Sequence, residues 1–231
     1  VIVPDSTIFK LYVDDEPLFL ATARLRDYRR ILDMRNGILS REFVWALPSG
    51  KHVRVRSTRL VSFEHRHLVA MTYEVTMLDH AAPVAISSQV VNRQDSRPVD
   101  EIPEQRPSDP RLAKVLPQRV LNARVTEQAD SRVLLGYRTT NSRMTLAVGV
   151  DHVVDTACPF QIEGSVDEDN GEILITADAS PGVPIRITKF ATYQGSRTIP
   201  VPELVDRSRR TLDRALRTGF DTLVEQQRHQ L

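Results

Sequence analysis

Between Ser62 and Leu68 the chain reads SFEHRHL, which places Glu64, His65, Arg66 and His67 in consecutive positions. A carboxylate beside two imidazoles is the raw material of a metal site or of a general acid–base pair. His65 and His67 have the i,i+2 spacing that puts two imidazoles on one face of a strand. Two ligands do not close a zinc site, however, and His52, His80 and His152 add no supporting spacing. A second local pairing is His152 with Asp151 or Asp155. A sugar epimerase needs such a histidine and carboxylate facing each other across a groove. Neighbours along a strand point to opposite faces, which disfavours His152 with Asp151. No metal, no organic cofactor and no catalytic residue is therefore assigned.

The elements that would position these groups decide between a site and a turn. In Lys51–Ser62 the run Val53-Arg54-Val55-Arg56 alternates apolar with charged, as a half-buried strand does. From Val69 to Met77 the odd positions are Val, Met, Tyr, Val and Met, with Ala70, Thr72, Glu74 and Thr76 between them. One strand over Lys51–Leu78 would far exceed the usual ~3–10 residues. The polar centre Glu64-His65-Arg66 must then be the tip of a hairpin pairing Val53–Phe63 with His67–Leu78. A wet, mobile tip is a poor home for a catalytic base, so the expectation is a turn.

Similar runs recur at Ile8–Val13, Ile38–Leu47, Val84–Val91, Val120–Glu127, Arg132–Arg138, Met144–Val150, Ile173–Thr176 and Ile185–Tyr193. Turn signals punctuate them at Asn36-Gly37, Ser49-Gly50, Asn170-Gly171 and Ser180-Pro181-Gly182. Strands with no helical segment between them predict a mainly β, antiparallel sandwich. Trp45 shares parity with Leu39, Phe43 and Leu47, which places it in the core rather than on a sugar-stacking platform. Residues 92–117 carry five prolines among polar residues and predict a long surface excursion.

After Pro200 and Pro202 the pattern turns helical. Leu204, Ser208, Leu212, Ala215, Leu216 and Leu223 trace one face, Asp206–Arg210 and Asp213–Arg217 stand at i,i+4, and Gly219 divides the segment in two. This stripe either packs on the sandwich or leads into a further domain. A supporting layer that waits for its partner would leave an apolar flank of the helix bare.

Acids and bases nearly cancel, at a formal charge of +1 over 231 residues, which argues against nucleic acid or an anionic membrane as partner. No apolar run reaches the length of a membrane span. The single cysteine, Cys158, excludes an internal disulfide and fits a reducing, cytoplasmic compartment.

Two segments carry a resemblance: YRRILDMRNGILSREFVWALPSGKHVRVRSTRLVSFEHRHLVAMTYEVT (Tyr28–Thr76) and KFATYQGSR (Lys189–Arg197). Within them and beside them stand Asp14-Asp15-Glu16-Pro17, Leu32-Asp33-Met34-Arg35, Gly37, Arg41, Trp45, Arg59-Leu60-Val61-Ser62, His67-Leu68, Ser87-Ser88 and Lys189-Phe190. The pattern resembles the N-terminal β-domain of glycoside hydrolase family 65, which includes maltose, trehalose and kojibiose phosphorylases and acid trehalases. The resemblance implies an antiparallel super-sandwich over 1–199, of galactose-mutarotase-like architecture. A helical linker over 200–231 would then lead toward a catalytic (α/α)6 barrel outside this chain. It also implies disaccharide α-glucosides as substrates of the parent, inorganic phosphate as co-substrate in a phosphorylase, and a second copy as candidate partner.

Inverting hydrolysis needs two carboxylates about 6.5–9.5 Å apart in a concave pocket; phosphorolysis needs one and a phosphate cradle. Neither is visible here, and Glu64 and Glu74 do not match the family's catalytic glutamate. The chain alone is expected to be inert. Two other readings stay open, a free-standing mutarotase-like epimerase and a carbohydrate-binding module.

Overall fold

The computed structural model describes residues 3–92 and 119–230. The expected 92–117 excursion lies, but for Asn92, outside the described residues. Thirteen strands are described: β1 (Asp5–Val13), β2 (Glu16–Pro17), β3 (Arg24–Asp33), β4 (Ile38–Ala46), β5 (His52–Val61), β6 (Leu68–Met77), β7 (Ala82–Val91), β8 (Leu121–Ala129), β9 (Arg132–Thr139), β10 (Thr145–Asp155), β11 (Phe160–Val166), β12 (Asn170–Ala179) and β13 (Pro184–Ser196). Two helices follow, α1 (Val201–Thr218) and α2 (Phe220–Gln230).

The strands form two antiparallel sheets. One runs β11-β12-β7-β1-β2, the other β3-β4-β5-β6-β13-β10-β9-β8. Their facing sides bury Leu11, Phe43, Trp45, Val75, Ile86 and Ile187 in one continuous core. Alternation explains which residues go there: on β5 Val53, Val55 and Ser57 are buried, while Arg56 between them is exposed. Trp45 lies in this core, as its parity requires.

Every strand expected from alternation is present. The strands that alternation did not reveal are β2, β3 and β11, all at or next to sheet edges. β11 is exposed along nearly its whole length, so neither of its faces needs an apolar stripe.

A second core forms on the outer side of the larger sheet. Leu204, Leu212 and Ala215 of α1, with Phe220 and Leu223 of α2, pack there against Leu60, Ala70, Leu134 and Phe190. The approach is close because β9 offers no side chain at Gly136. A Cβ built there would sit 2.4 Å from Val201 Cγ1. The helical stripe packs on the sandwich, so the expected bare flank is covered. Gly219 divides the helices as expected, at φ +77°.

The helix charges pair differently from the i,i+4 expectation. Asp206 meets Arg209 of the same helix at i,i+3, and Asp213 meets Arg132 on β9, where the outer sheet face supplies a guanidinium to the helix.

Candidate functional site

The SFEHRHL segment is a hairpin tip, with Val61 opposite Val69 in register. It is tied down on several sides. Ser62 N donates to Leu68 O at 3.0 Å, and His65 N donates to Ser62 Oγ at 2.9 Å. Phe63 N donates to Gln227 Oε1 on α2 at 3.1 Å. His67 Nδ1 lies 2.9 Å from Tyr193 O. A carbonyl only accepts, so Nδ1 carries the proton. Packing against the helices thus replaces the mobility expected of a free tip. His65 and His67 sit in the turn rather than on one strand face. Among the described residues no cluster of His, Cys, Asp and Glu is suited to a metal ion.

The His152 pairings are not assembled. His152 points between the sheets and is 5% exposed. Its Nδ1 donates to Ser131 O at 2.7 Å, which leaves Nε2 to accept from Ser88 Oγ at 2.7 Å. Burial, helped by the nearby charge of Lys189, pushes this imidazole down to about 3. The Asp151 carboxylate instead meets Arg132 Nε at 2.7 Å and Ser131 Oγ at 2.8 Å, and Arg132 reaches on to Asp213 of α1. Asp155 is exposed at the strand end. A neutral imidazole enclosed by two sheets and a carboxylate locked in an ion pair cannot exchange protons with a sugar in a groove.

Sequence reasoning missed two other groups of side chains. Lys189 is wholly buried on β13, where Nζ donates to Gln89 O at 2.9 Å and lies 5.1 Å from the centre of the Phe9 ring. Burial brings its ammonium down to about 7. Nearby, the part of β4 and β5 that carries Arg41 and Arg59 faces β1 and the segment after β2 across a gap. A cleft of about 370 Å³ forms there, lined by Phe9, Phe19, Phe43, Tyr73, Arg41 and Arg59 among others. The signal was present in the sequence: Lys189, Arg41 and Arg59 each occupy the apolar parity of their strand.

This geometry can be set against known proteins. The family model described as "Glycosyl hydrolase family 65, N-terminal domain" matches residues 1–231. The chain belongs to that family. An uncharacterized glycosyl hydrolase of Mycobacterium tuberculosis is 33% identical over 226 residues, which cover 98% of this chain and 28% of that protein. The alpha,alpha-trehalose phosphorylase of Thermoanaerobacter brockii is 27% identical over 97% of the chain and 28% of its own length. The solved structure named "Putative kojibiose phosphorylase from human microbiome" superposes with a TM-score of 0.78 at 14% identity, over 98% of this chain and 27% of that one. The family 65 N-terminal domain described here thus spans less than a third of the length of these relatives. No helix among the described residues is long and apolar enough to cross a membrane.

Proposed function

We propose that this chain is the non-catalytic N-terminal domain of a cytoplasmic α-glucoside-active enzyme, a disaccharide phosphorylase or hydrolase, and that it braces the catalytic domain and its active-site rim. The observation that carries this reading is an apolar surface at one end of the larger sheet. Tyr28 and Leu32 on β3, Met34 in the following turn, and Val61 and Phe63 at the hairpin tip are all exposed, Met34 to 79%. Patches of this kind mark interaction sites, and among the described residues β3 is also an edge strand of its sheet. The occupant is the remainder of the parent polypeptide: Gln227, near the end of α2, bonds to Val61 O and Phe63 N at the rim of this surface. Homologous parents whose names specify trehalose and kojibiose phosphorolysis favour disaccharide α-glucosides as substrates.

The full-length parent, assayed on trehalose, maltose and kojibiose with and without inorganic phosphate, is expected to turn over at least one of them, while the 231-residue chain turns over none. Activity only with phosphate identifies a phosphorylase, with phosphate as co-substrate. Cleavage of a sugar by the 231-residue chain alone would overturn the assignment, and anomerisation would overturn it in favour of a free-standing epimerase.

A further inference from the structure

The open cleft between the sheets holds two arginines, Arg41 and Arg59. Strand register places Tyr73, Ser57, Arg41 and Arg30 in one row across β6, β5, β4 and β3. The next row is Met71, Arg59, Leu39 and Leu32. Arg30 and Arg41 are therefore directly opposed like charges, an arrangement that costs free energy. Arg59 stands one row on, half-buried, and burial followed by the charge of Arg41 holds its guanidinium below the ordinary arginine range. Neither Arg41 nor Arg59 forms an ion pair among the described residues. The Asp5 charge reaches Arg59 and offsets part of this depression, while its Oδ1 accepts from Thr7 N and Oγ1 at 2.8 and 2.7 Å.

The walls of the cleft are aromatic. Phe9 and Tyr73 stack at 4.8 Å with planes 7° apart. The Arg41 guanidinium lies 5.9 Å from the centre of the Phe43 ring. Phe19, after β2, also lines the cleft and is 64% exposed. Two guanidiniums lining one cleft repel cations and offer planar forks of donors to an anion. Aromatic walls add affinity for a flat apolar face. A volume near 370 Å³ falls in the range of small-molecule sites, whereas an acidic protein segment would need a longer track.

We propose that this cleft binds a small organic anion, a phosphate or carboxylate borne on a flat apolar body, with Arg41 and Arg59 holding the head group and Phe19 closing over the body. The site is independent of the bracing role and is read on the binding of probes rather than on turnover.

The test is calorimetric titration of the 231-residue chain with phenyl phosphate, inorganic phosphate and phenol. Phenyl phosphate is expected to bind saturably with one site, about tenfold or more tighter than inorganic phosphate, and phenol not at all at the same concentrations. Arg59→Gln and Arg41→Gln should each weaken phenyl phosphate about tenfold. Phe19→Ala should weaken phenyl phosphate and leave inorganic phosphate unchanged, and Arg54→Gln, on the opposite face of β5, should alter neither. The proposal is overturned if phenyl phosphate binds no tighter than inorganic phosphate. It is equally overturned if Arg54→Gln weakens binding as much as Arg59→Gln, or if no probe binds below about 10 mM, a weakness that leaves less than ~3 kcal/mol for the whole site.

Discussion

The two faces of β4 and β5 use the same residue types to opposite ends. On the outer face Arg54 and Arg56 converge on Glu42, and Arg56 also reaches Glu74, at 2.9–3.8 Å. On the inner face Arg41, one position from Glu42, lies by the Phe43 ring, and Arg59, three positions from Arg56, meets the charge of Arg41. Strand alternation makes the contrast unavoidable: adjacent residues cannot share a face. A chain that needed only solubility would place all its arginines on the outer side. Unpaired guanidiniums at core parity weaken the fold slightly, and they are explained more readily by what they hold than by what they stabilise.

Toward the middle of the larger sheet the outer face is covered by α1, and the strongest test of the comparison lies there. If α1 is an integral layer, truncating its most buried leucine should unfold much of the outer core. Leu212 is wholly buried against the sheet. Leu212→Ala is expected to lower the free energy of urea unfolding by about 2–5 kcal/mol, with α1 and the sheet melting in one transition. A separate early loss of helical signal, with the sheet transition unmoved, would make α1 an appendage.

How much of this was legible follows the same logic of faces. β1, β5, β6 and β10 read clearly because one side of each is apolar and the other polar. β3 and β11 did not, because an edge strand with both faces exposed has nothing to hide and so no period to display. The i,i+4 pairs on α1 were misread for a related reason. Asp213 sits near Arg132, which tertiary packing brings from β9, and helix spacing alone is blind to that partner. The SFEHRHL segment drew attention by composition, yet the residues with unusual surroundings are Lys189, Arg41 and Arg59. Composition is visible in one dimension, but a missing counter-charge appears only once the strands are aligned.

Lys189 extends the inner-face pattern into the closed core and makes it measurable by pH. Its ammonium titrates at about 7 in the fold and near 10.4 in an unfolded chain. Between those values the unfolded state binds more protons, so stability must rise with pH, by up to about 1.4 kcal/mol per unit. Below about 7 both states are charged and the full cost of burial remains. His152, held at about 3 against roughly 6.5 unfolded, gives the same sign lower down, so stability is lost as pH falls from about 6.5 toward 3. Urea midpoints should therefore climb from pH 7 to 10 in the wild type and stay flat in Lys189→Met over that interval. A flat wild-type profile there would mean that Gln89 O and the Phe9 ring compensate the buried ammonium fully.

The smallest expected effect separates the two faces most sharply, because it is a difference of sign. Removing Arg56 breaks an exposed ion pair with Glu42, which is worth about 0.2–1 kcal/mol. Arg59→Met takes away a half-buried charge that forms no ion pair among the described residues and keeps much of the volume of its stem, so it should be neutral or stabilising. Salt should then act oppositely on the two sites. At about 1 M NaCl, where the Debye length falls to ~3 Å, the cost of Arg56→Met shrinks because its ion pair is screened, while the wild-type inner face gains from screened repulsion. Phenyl phosphate sharpens the test further by occupying the cleft. It should raise the unfolding midpoint of the wild type and of Arg56→Met alike, and that of Arg59→Met by clearly less at the same concentration. If Arg59→Met proves as costly as Arg56→Met in low salt, the inner guanidinium contributes to the fold through contacts of its own, and the asymmetry between the faces is one of geometry without a ligand behind it.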